Sequence, residues 1–118
     1  MRVRGVIAFV TLIGLVAVPT AIPAAATQLR GTSGPGFSIT LQNEAGTLVS
    51  RLDPGTYDIA VRDLSAEHNF HLVGVGVNKK SSVAAVGTST WKLKLSKGAL
   101  RFYSDKAPTT VKGAVKVT

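Results

Sequence analysis

The chain contains no cysteine and only two histidines, His68 and His71, among its 118 residues. Disulfide bonds and thiolate metal ligands are therefore excluded, and so are the Cys/His spacings typical of zinc sites. No dinucleotide-binding loop, phosphate-binding loop or G-x-S-x-G nucleophile motif occurs either. The fold must rely on packing alone, and His68 is the best candidate for a member of any chemical site.

Acidic residues are also scarce, with six against 14 lysines and arginines and a formal net charge of +8. This balance favours anionic partners. The basic residues are scattered along the chain, so we expect no nucleic-acid binding. The predicted partner is an unknown protein or an anionic surface, contacted through a basic set that consists of Lys92, Lys94, Arg101, Lys112 and Lys116.

No apolar run reaches the roughly 20 residues that a membrane-spanning helix needs. The longest run, residues 6–18, follows Arg2 and Arg4 and precedes the small residues 24–26, a pattern typical of a cleaved signal peptide. We predict a signal peptide over residues 1–26, with an uncleaved N-terminal anchor as the alternative. The protein is then expected to be exported, secreted or periplasmic at the cell envelope, monomeric, and without a transmembrane span after cleavage.

The rest of the chain shows no helical period. Apolar residues alternate with polar ones in several short stretches, which turn signals such as residues 53–56 separate. This pattern predicts an all-β fold, an antiparallel β-sandwich of seven or eight strands. We expect a short leader over residues 27–35 and the domain over 36–118.

The alternation also predicts which side chains point inward. Phe37 and Leu41 share a phase in the first predicted strand, and Leu48 and Leu52 share one in the second. In the later strands the inward phase predicts four core residues: Phe70, Trp91, Leu93 and Phe102. His68 falls on this inward phase, whereas Asn69 and His71 fall on the opposite one.

Two blocks of the sequence together resemble the cupredoxins, the plastocyanin-like blue-copper domains, and in particular small exported bacterial ones. The first block is DPGTYDIAVRD at 53–63, which leads into HNFHLVG at 68–74. The second block consists of WKLKL at 91–95, Gly98, LRFYSD at 100–105 and GAVKV at 113–117. The resemblance covers residues 36–118 and implies a Greek-key sandwich.

The resemblance also implies a ligand set, which this chain keeps at one of four positions. A type 1 copper site uses two histidines, a cysteine thiolate and a weak axial methionine. The first histidine matches His68 of the His68-Asn69 pair, the cysteine falls on Ser104, the second histidine on Ala107, and the methionine on Val111. A serine hydroxyl is a poor donor to a soft metal, and the other two side chains offer no lone pair.

The two histidines leave alternatives open. His68 is either a remnant metal ligand or a residue that caps the core with a hydrogen bond to the backbone. Within one strand, His68 and His71 would leave opposite faces about 10 Å apart, so they would not converge without a bulge. His71 is interpreted as a surface side chain that could still hold copper or zinc weakly with a neighbouring carboxylate.

Asn69 has two interpretations, one as a tie between the ligand loop and the neighbouring strand and one as a solvent-facing strand residue. Ser104 has no base identifiable from the sequence, so no catalytic residues are predicted and the protein is not expected to be an enzyme. The leading hypothesis is an exported, non-catalytic cupredoxin-like domain that has lost its copper site and acts as a binding or structural module. The alternative is a copper-binding or electron-transfer protein with a non-standard site around His68.

Overall fold

The computed structural model describes residues 26–118, and these residues form nine β-strands in two sheets. In chain order the strands are β1 Thr27–Ser33, β2 Ile39–Asn43, β3 Arg51–Leu52, β4 Gly55–Asp63, β5 His71–Gly74, β6 Val77–Lys80, β7 Gly87–Leu95, β8 Gly98–Tyr103 and β9 Lys112–Val117. The four-stranded sheet has the order β2-β1-β4-β7, and the five-stranded sheet has the order β3-β9-β8-β5-β6. The prediction of an all-β sandwich is confirmed.

The structure describes only the last residue of the predicted signal peptide. Of the predicted signal peptide, residues 1–25 lie outside the described residues, and only Ala26 is described. Among residues 26–118 no helix has the length and apolar character that crossing a bilayer requires.

Two strand pairs are parallel, which corrects the prediction of a wholly antiparallel sandwich. β1 runs parallel to β4 with Thr27 opposite Tyr57, and β3 runs parallel to β9. The reason is the path of the chain, which leaves the four-stranded sheet after β2, forms β3 in the other sheet and returns to place β4 beside β1. Alternation in the sequence has the same period in both kinds of pair, so it could not distinguish them.

The predicted leader contains a central strand instead. Residues 27–33 form β1, which lies between β2 and β4. Gly31 is buried beneath the ring of Phe70, and a Cβ at this position would stand 2.7 Å from the Cζ atom of that ring. A glycine is therefore required at position 31 by the close approach of the backbone and an aromatic ring.

Two apolar residues predicted to point inward lie on the surface. Phe37 is 78% exposed, because the loop before β2 is closed by a 2.8 Å bond from the Gly34 amide to the Ser38 carbonyl and carries Phe37 outward. Leu48 is 64% exposed and forms only an isolated bridge with Gln42. The strand predicted there shrinks to β3, which contains two residues.

The core between the sheets is centred on three aromatic rings. Phe70, Trp91 and Phe102 are buried as predicted, whereas Leu93 is only half-buried. The Phe70 ring stacks on Phe102 with centroids 5.6 Å apart and meets Trp91 at 6.3 Å. Phe70 lies two residues after His68, so this aromatic cluster lies next to the candidate site around His68.

Candidate functional site

His68 lies in the segment before β5, and Ser104 immediately follows β8. The structure brings the two side chains together, with His68 Nδ1 2.8 Å from Ser104 Oγ. His68 is 5% exposed and Ser104 is fully buried. The pairing of β5 with β8 produces this contact, because it sets His71 opposite Tyr103 and so brings the residues just outside both strands to the same end of the sheet.

This contact bears on the interpretation of His68 as a core-capping residue. The side chain is buried, as a core-capping residue would be, but its partner is the Ser104 hydroxyl and not the backbone carbonyl that we expected. The contact also places an imidazole beside Ser104, which could not be identified from the sequence. Ser104 has no exposed surface, so a substrate could approach its hydroxyl only if the surrounding chain moved.

The loop from Ser104 to Val111 is closed by its own backbone. The Ser104 amide donates to the Val111 carbonyl at 2.9 Å, the Ala107 amide to the Ser104 carbonyl at 3.1 Å, and the Val111 amide to the Ala107 carbonyl at 2.9 Å. The Lys106 amide also donates to Ser104 Oγ at 3.3 Å. These bonds hold together Ser104, Ala107 and Val111, the three residues that the resemblance aligns with copper ligands. Val111 is buried and Ala107 is half-buried.

Asn69 ties this loop to the strands beside it. Its Nδ2 donates to the Ser81 carbonyl at 3.0 Å and to Asp105 Oδ2 at 2.9 Å, and its Oδ1 accepts from the Asp105 amide at 2.8 Å. Asn69 is almost fully buried, so the interpretation as a solvent-facing residue is wrong. The other interpretation, in which Asn69 links the loop to the neighbouring strand, matches these bonds.

His71 lies on the outer face of the five-stranded sheet, away from His68. Its Nδ1 lies 2.7 Å from Asp105 Oδ1, its Nε2 lies 2.6 Å from Asn78 Oδ1, and its ring centroid is 4.9 Å from that of Tyr103. The neighbouring carboxylate that a weak metal site would need is therefore present. However, both ring nitrogens of His71 already face protein oxygens.

Asp105 receives the largest share of these bonds. Burial raises its pKa, but hydrogen bonds from His71 and Asn69 and the charges of His71 and Lys80 outweigh burial, so the pKa of Asp105 lies below its ordinary value. A carboxylate whose pKa is lowered by folding stabilises the native state above its ordinary pKa, and it loses this effect as the pH falls.

We therefore expect Asp105→Asn to lower the free energy of unfolding by about 1 kcal/mol at pH 7. The difference from the wild type should shrink as the pH falls below the ordinary aspartate value of 3.8. Urea unfolding over a series of pH values measures it. Glu44→Gln is a matched control, because it removes one exposed carboxylate and should change stability by less than about 0.5 kcal/mol. A constant difference across the pH range would contradict this role of the carboxylate charge.

Asp63 is a buried carboxylate that the sequence analysis missed. It accepts from Ser81 Oγ at Oδ2 over 3.1 Å and from the Ser65 amide at Oδ1 over 3.2 Å. Burial raises the pKa of Asp63, and the hydrogen bonds from Ser65 and Ser81 and the charge of His68 only partly offset this. The signal was present in the sequence, since Asp63 continues the inward phase of Tyr57, Ile59 and Val61.

A shallow depression of about 330 Å³ lies beside His68, lined by Pro35, Phe37, Leu64, Ser65, Glu67 and His68 itself. The ring of Phe37 meets the His68 imidazole edge-on, with centroids 5.3 Å apart. Among residues 26–118 no three His, Asp or Glu side chains are placed to share a metal ion. One imidazole, one neutral hydroxyl and two side chains without lone pairs do not fit the type 1 copper ligand set.

The predicted basic set divides between the two outer faces of the sandwich. Lys92 and Lys94 lie on β7 of the four-stranded sheet, whereas Arg101, Lys112 and Lys116 lie on β8 and β9 of the five-stranded sheet. The set therefore does not form the single surface that we expected.

Comparison with solved structures agrees with this architecture. A structure of the copper protein rusticyanin superposes with a TM-score of 0.57 at 13% sequence identity, covering 81% of this chain and 80% of that one. A structure of rusticyanin from Thiobacillus ferrooxidans gives a TM-score of 0.55 at 17% identity, covering 81% and 79%. No model of a protein family and no curated protein sequence matches. The likeness at these identities concerns the fold, and the chain has a cupredoxin-like fold.

Proposed function

We propose that this protein is an exported, non-catalytic cupredoxin-like domain that does not form a type 1 copper centre and acts as a binding module at the cell envelope. The contact between His68 and Ser104 carries the proposal. It brings the one matching ligand position against the position where the cysteine of a type 1 site would stand, and a serine hydroxyl occupies that position.

The surroundings of this contact support the same function. Nδ1 of His68 is engaged by the hydroxyl at 2.8 Å, and the loop is held by backbone bonds and by Asn69 with no need for a metal ion. Hydrogen bonds among protein groups therefore hold this end of the sandwich together, which supports a domain that needs no copper ion there. What remains for interaction is the surface of the domain.

Titration with Cu(II) tests the proposal. We expect the wild-type protein, purified without a histidine tag, to stay colourless, because no thiolate is present to give a charge-transfer band. Visible absorption and equilibrium dialysis measure colour and stoichiometry. His68→Gln is the control variant, since an amide can keep a hydrogen bond to Ser104 while it removes the imidazole.

The same titration tests the alternative function, copper binding or electron transfer at a non-standard site around His68. Tight one-to-one copper binding by the wild type that His68→Gln abolishes would favour this alternative. It would overturn the proposed function even if the solution stayed colourless.

A further inference from the structure

The outer face of the five-stranded sheet carries a cluster of basic side chains. The cluster consists of Arg51 on β3, Lys112 and Lys116 on β9, and Arg101 on β8, all of which are exposed. Arg51 pairs directly with Lys116, and Arg101 pairs with Ala114. Since Ala114 lies between the two lysines, Arg101 is diagonal to both, at about 7–8 Å.

Among residues 26–118, none of the four cluster residues forms an ion pair. The ion pairs in this part of the chain involve His71, Lys80 and Lys92 instead. The five strands of this sheet contain no aspartate or glutamate, and Asp105 at the margin is already bound to His71 and lies 4.0 Å from Lys80. On the opposite face, by contrast, Asp58 pairs with Lys92 at 3.2 Å.

Apolar surface lies between these cations. A depression of about 590 Å³ is lined by Ala99, Ala114 and the buried Val115 and Val117, together with the polar or charged residues Ser50, Lys97, Lys116 and Thr118. A second depression of about 290 Å³ on the other side of Ala114 is lined by Arg101, Tyr103, Pro108 and Lys112. The Arg101 guanidinium lies 5.7 Å from the centroid of the Tyr103 ring. Basic side chains therefore surround a surface of small residues such as Ala99 and Ala114. This combination suits a ligand that has both anionic and apolar parts.

We propose that the outer face of the five-stranded sheet docks onto an anionic phospholipid bilayer. The cluster spreads over three adjacent strands, which matches a plane of headgroups better than the single line of charge of a polymer chain. The apolar depressions and Tyr103 match the headgroup boundary, where tyrosine is enriched. This inference rests on the proposed function and names the surface that the binding module recognises.

Vesicle sedimentation tests the docking face. We expect the full chain to bind phosphatidylcholine vesicles that contain phosphatidylglycerol and to be released by salt. The variant Arg101→Gln/Lys112→Gln/Lys116→Gln should bind on the order of 100-fold more weakly, at about 1 kcal/mol for each basic residue near the surface. The matched control is Arg30→Gln/Arg62→Gln/Lys94→Gln, which removes the same charge from the outer face of the four-stranded sheet and should lose less than about threefold.

A second variant keeps the basic residues in place. Ala114→Glu puts a carboxylate between the two depressions at an exposed position, so it should weaken vesicle binding while the thermal midpoint stays within a few degrees. All variants keep the same N-terminal segment, so its contribution to vesicle binding is common to all of them.

Several outcomes would overturn the docking face. Equal losses in the two triple variants would show that only net charge matters, and equal binding to pure phosphatidylcholine vesicles would show that anionic lipid is not recognised. Binding to soluble dextran sulfate with the same face dependence, but not to anionic vesicles, would assign the face to a polymer instead. Each of these results is independent of the copper titration, so the proposed function can stand if the docking face fails.

Discussion

Phe70→Ala is expected to lower the free energy of unfolding by about 3–5 kcal/mol. Phe70 is fully buried, stacks on Phe102 and meets Trp91, and its ring fills the space above Gly31. The two sheets cannot close over the space that its removal leaves, because both backbones are fixed by their ladders. A small domain has only about 5–15 kcal/mol in total, and this chain has no disulfide to add.

Urea unfolding followed by Trp91 fluorescence measures this loss. Leu48→Ala is the matched control, because it also shortens an apolar side chain but at a position that is 64% exposed, and it should cost less than about 0.5 kcal/mol. A loss below about 1 kcal/mol for Phe70→Ala would mean that the ring is not the centre of the core. If the variant does not fold at all, Phe70→Leu gives a smaller cavity and should still unfold at a lower urea concentration than the wild type.

The alternation of the sequence predicted the strands whose inner face meets the core. Trp91 and Phe102 are buried where the inward phase of their strands placed them, because a side-chain period of two is a local property of every strand. Phe70 is buried as predicted, but it lies before β5 in a segment where His68 and Asn69 are buried as well, so strand alternation does not explain its burial. The same argument failed for Phe37 and Leu48, which lie in loops where the strand geometry does not apply. Alternation says which way a side chain points only after the boundaries of the strand are known.

The leader prediction failed for a different physical reason. Residues 27–33 are mostly polar, with Leu29 as the one apolar side chain, yet they form a strand between β2 and β4. Gly31 gives room to Phe70, which lies far away in the sequence, and Ser33 Oγ donates to the Asn69 carbonyl at 3.1 Å. Composition cannot show that a glycine faces an aromatic ring from another strand, so this strand required tertiary information.

In the candidate site, too, some residues could be predicted from the sequence, whereas the contacts between distant segments could not. The resemblance to the cupredoxins implied that Ser104, Ala107 and Val111 belong to one loop, and the structure sets Ser104 against His68. The carboxylate network of Asp63 and Asp105 was not predicted, because it is assembled from the ends of β4 and β8 and the segment after β6. These acids are separated by tens of residues, and only the pairing of the sheets brings their partners together.

The triple variant Ser104→Cys/Ala107→His/Val111→Met is expected to bind copper and to turn blue, or green if the geometry is relaxed. It would add a thiolate, an imidazole and a thioether to His68, which is the trigonal ligand set with a weak axial methionine. Ser104 Oγ already lies 2.8 Å from His68 Nδ1, so the new thiolate would start beside the imidazole. The three loop bonds that join residues 104, 107 and 111 use backbone atoms only, so they do not depend on the replaced side chains, whereas the Lys106 amide loses Ser104 Oγ as its acceptor.

Visible absorption and copper stoichiometry measure the result, and the partial variants separate the contributions. Ala107→His/Val111→Met without the cysteine should stay colourless, because only the thiolate gives the charge-transfer band. Ser104→Cys alone should bind copper more weakly than the triple variant, since one imidazole and one thiolate leave the ligand set incomplete. Ser104 is fully buried, so a cysteine there is shielded from pairing with another chain. A triple variant that folds but binds no more copper than the wild type would show that Ala107 and Val111 do not face His68.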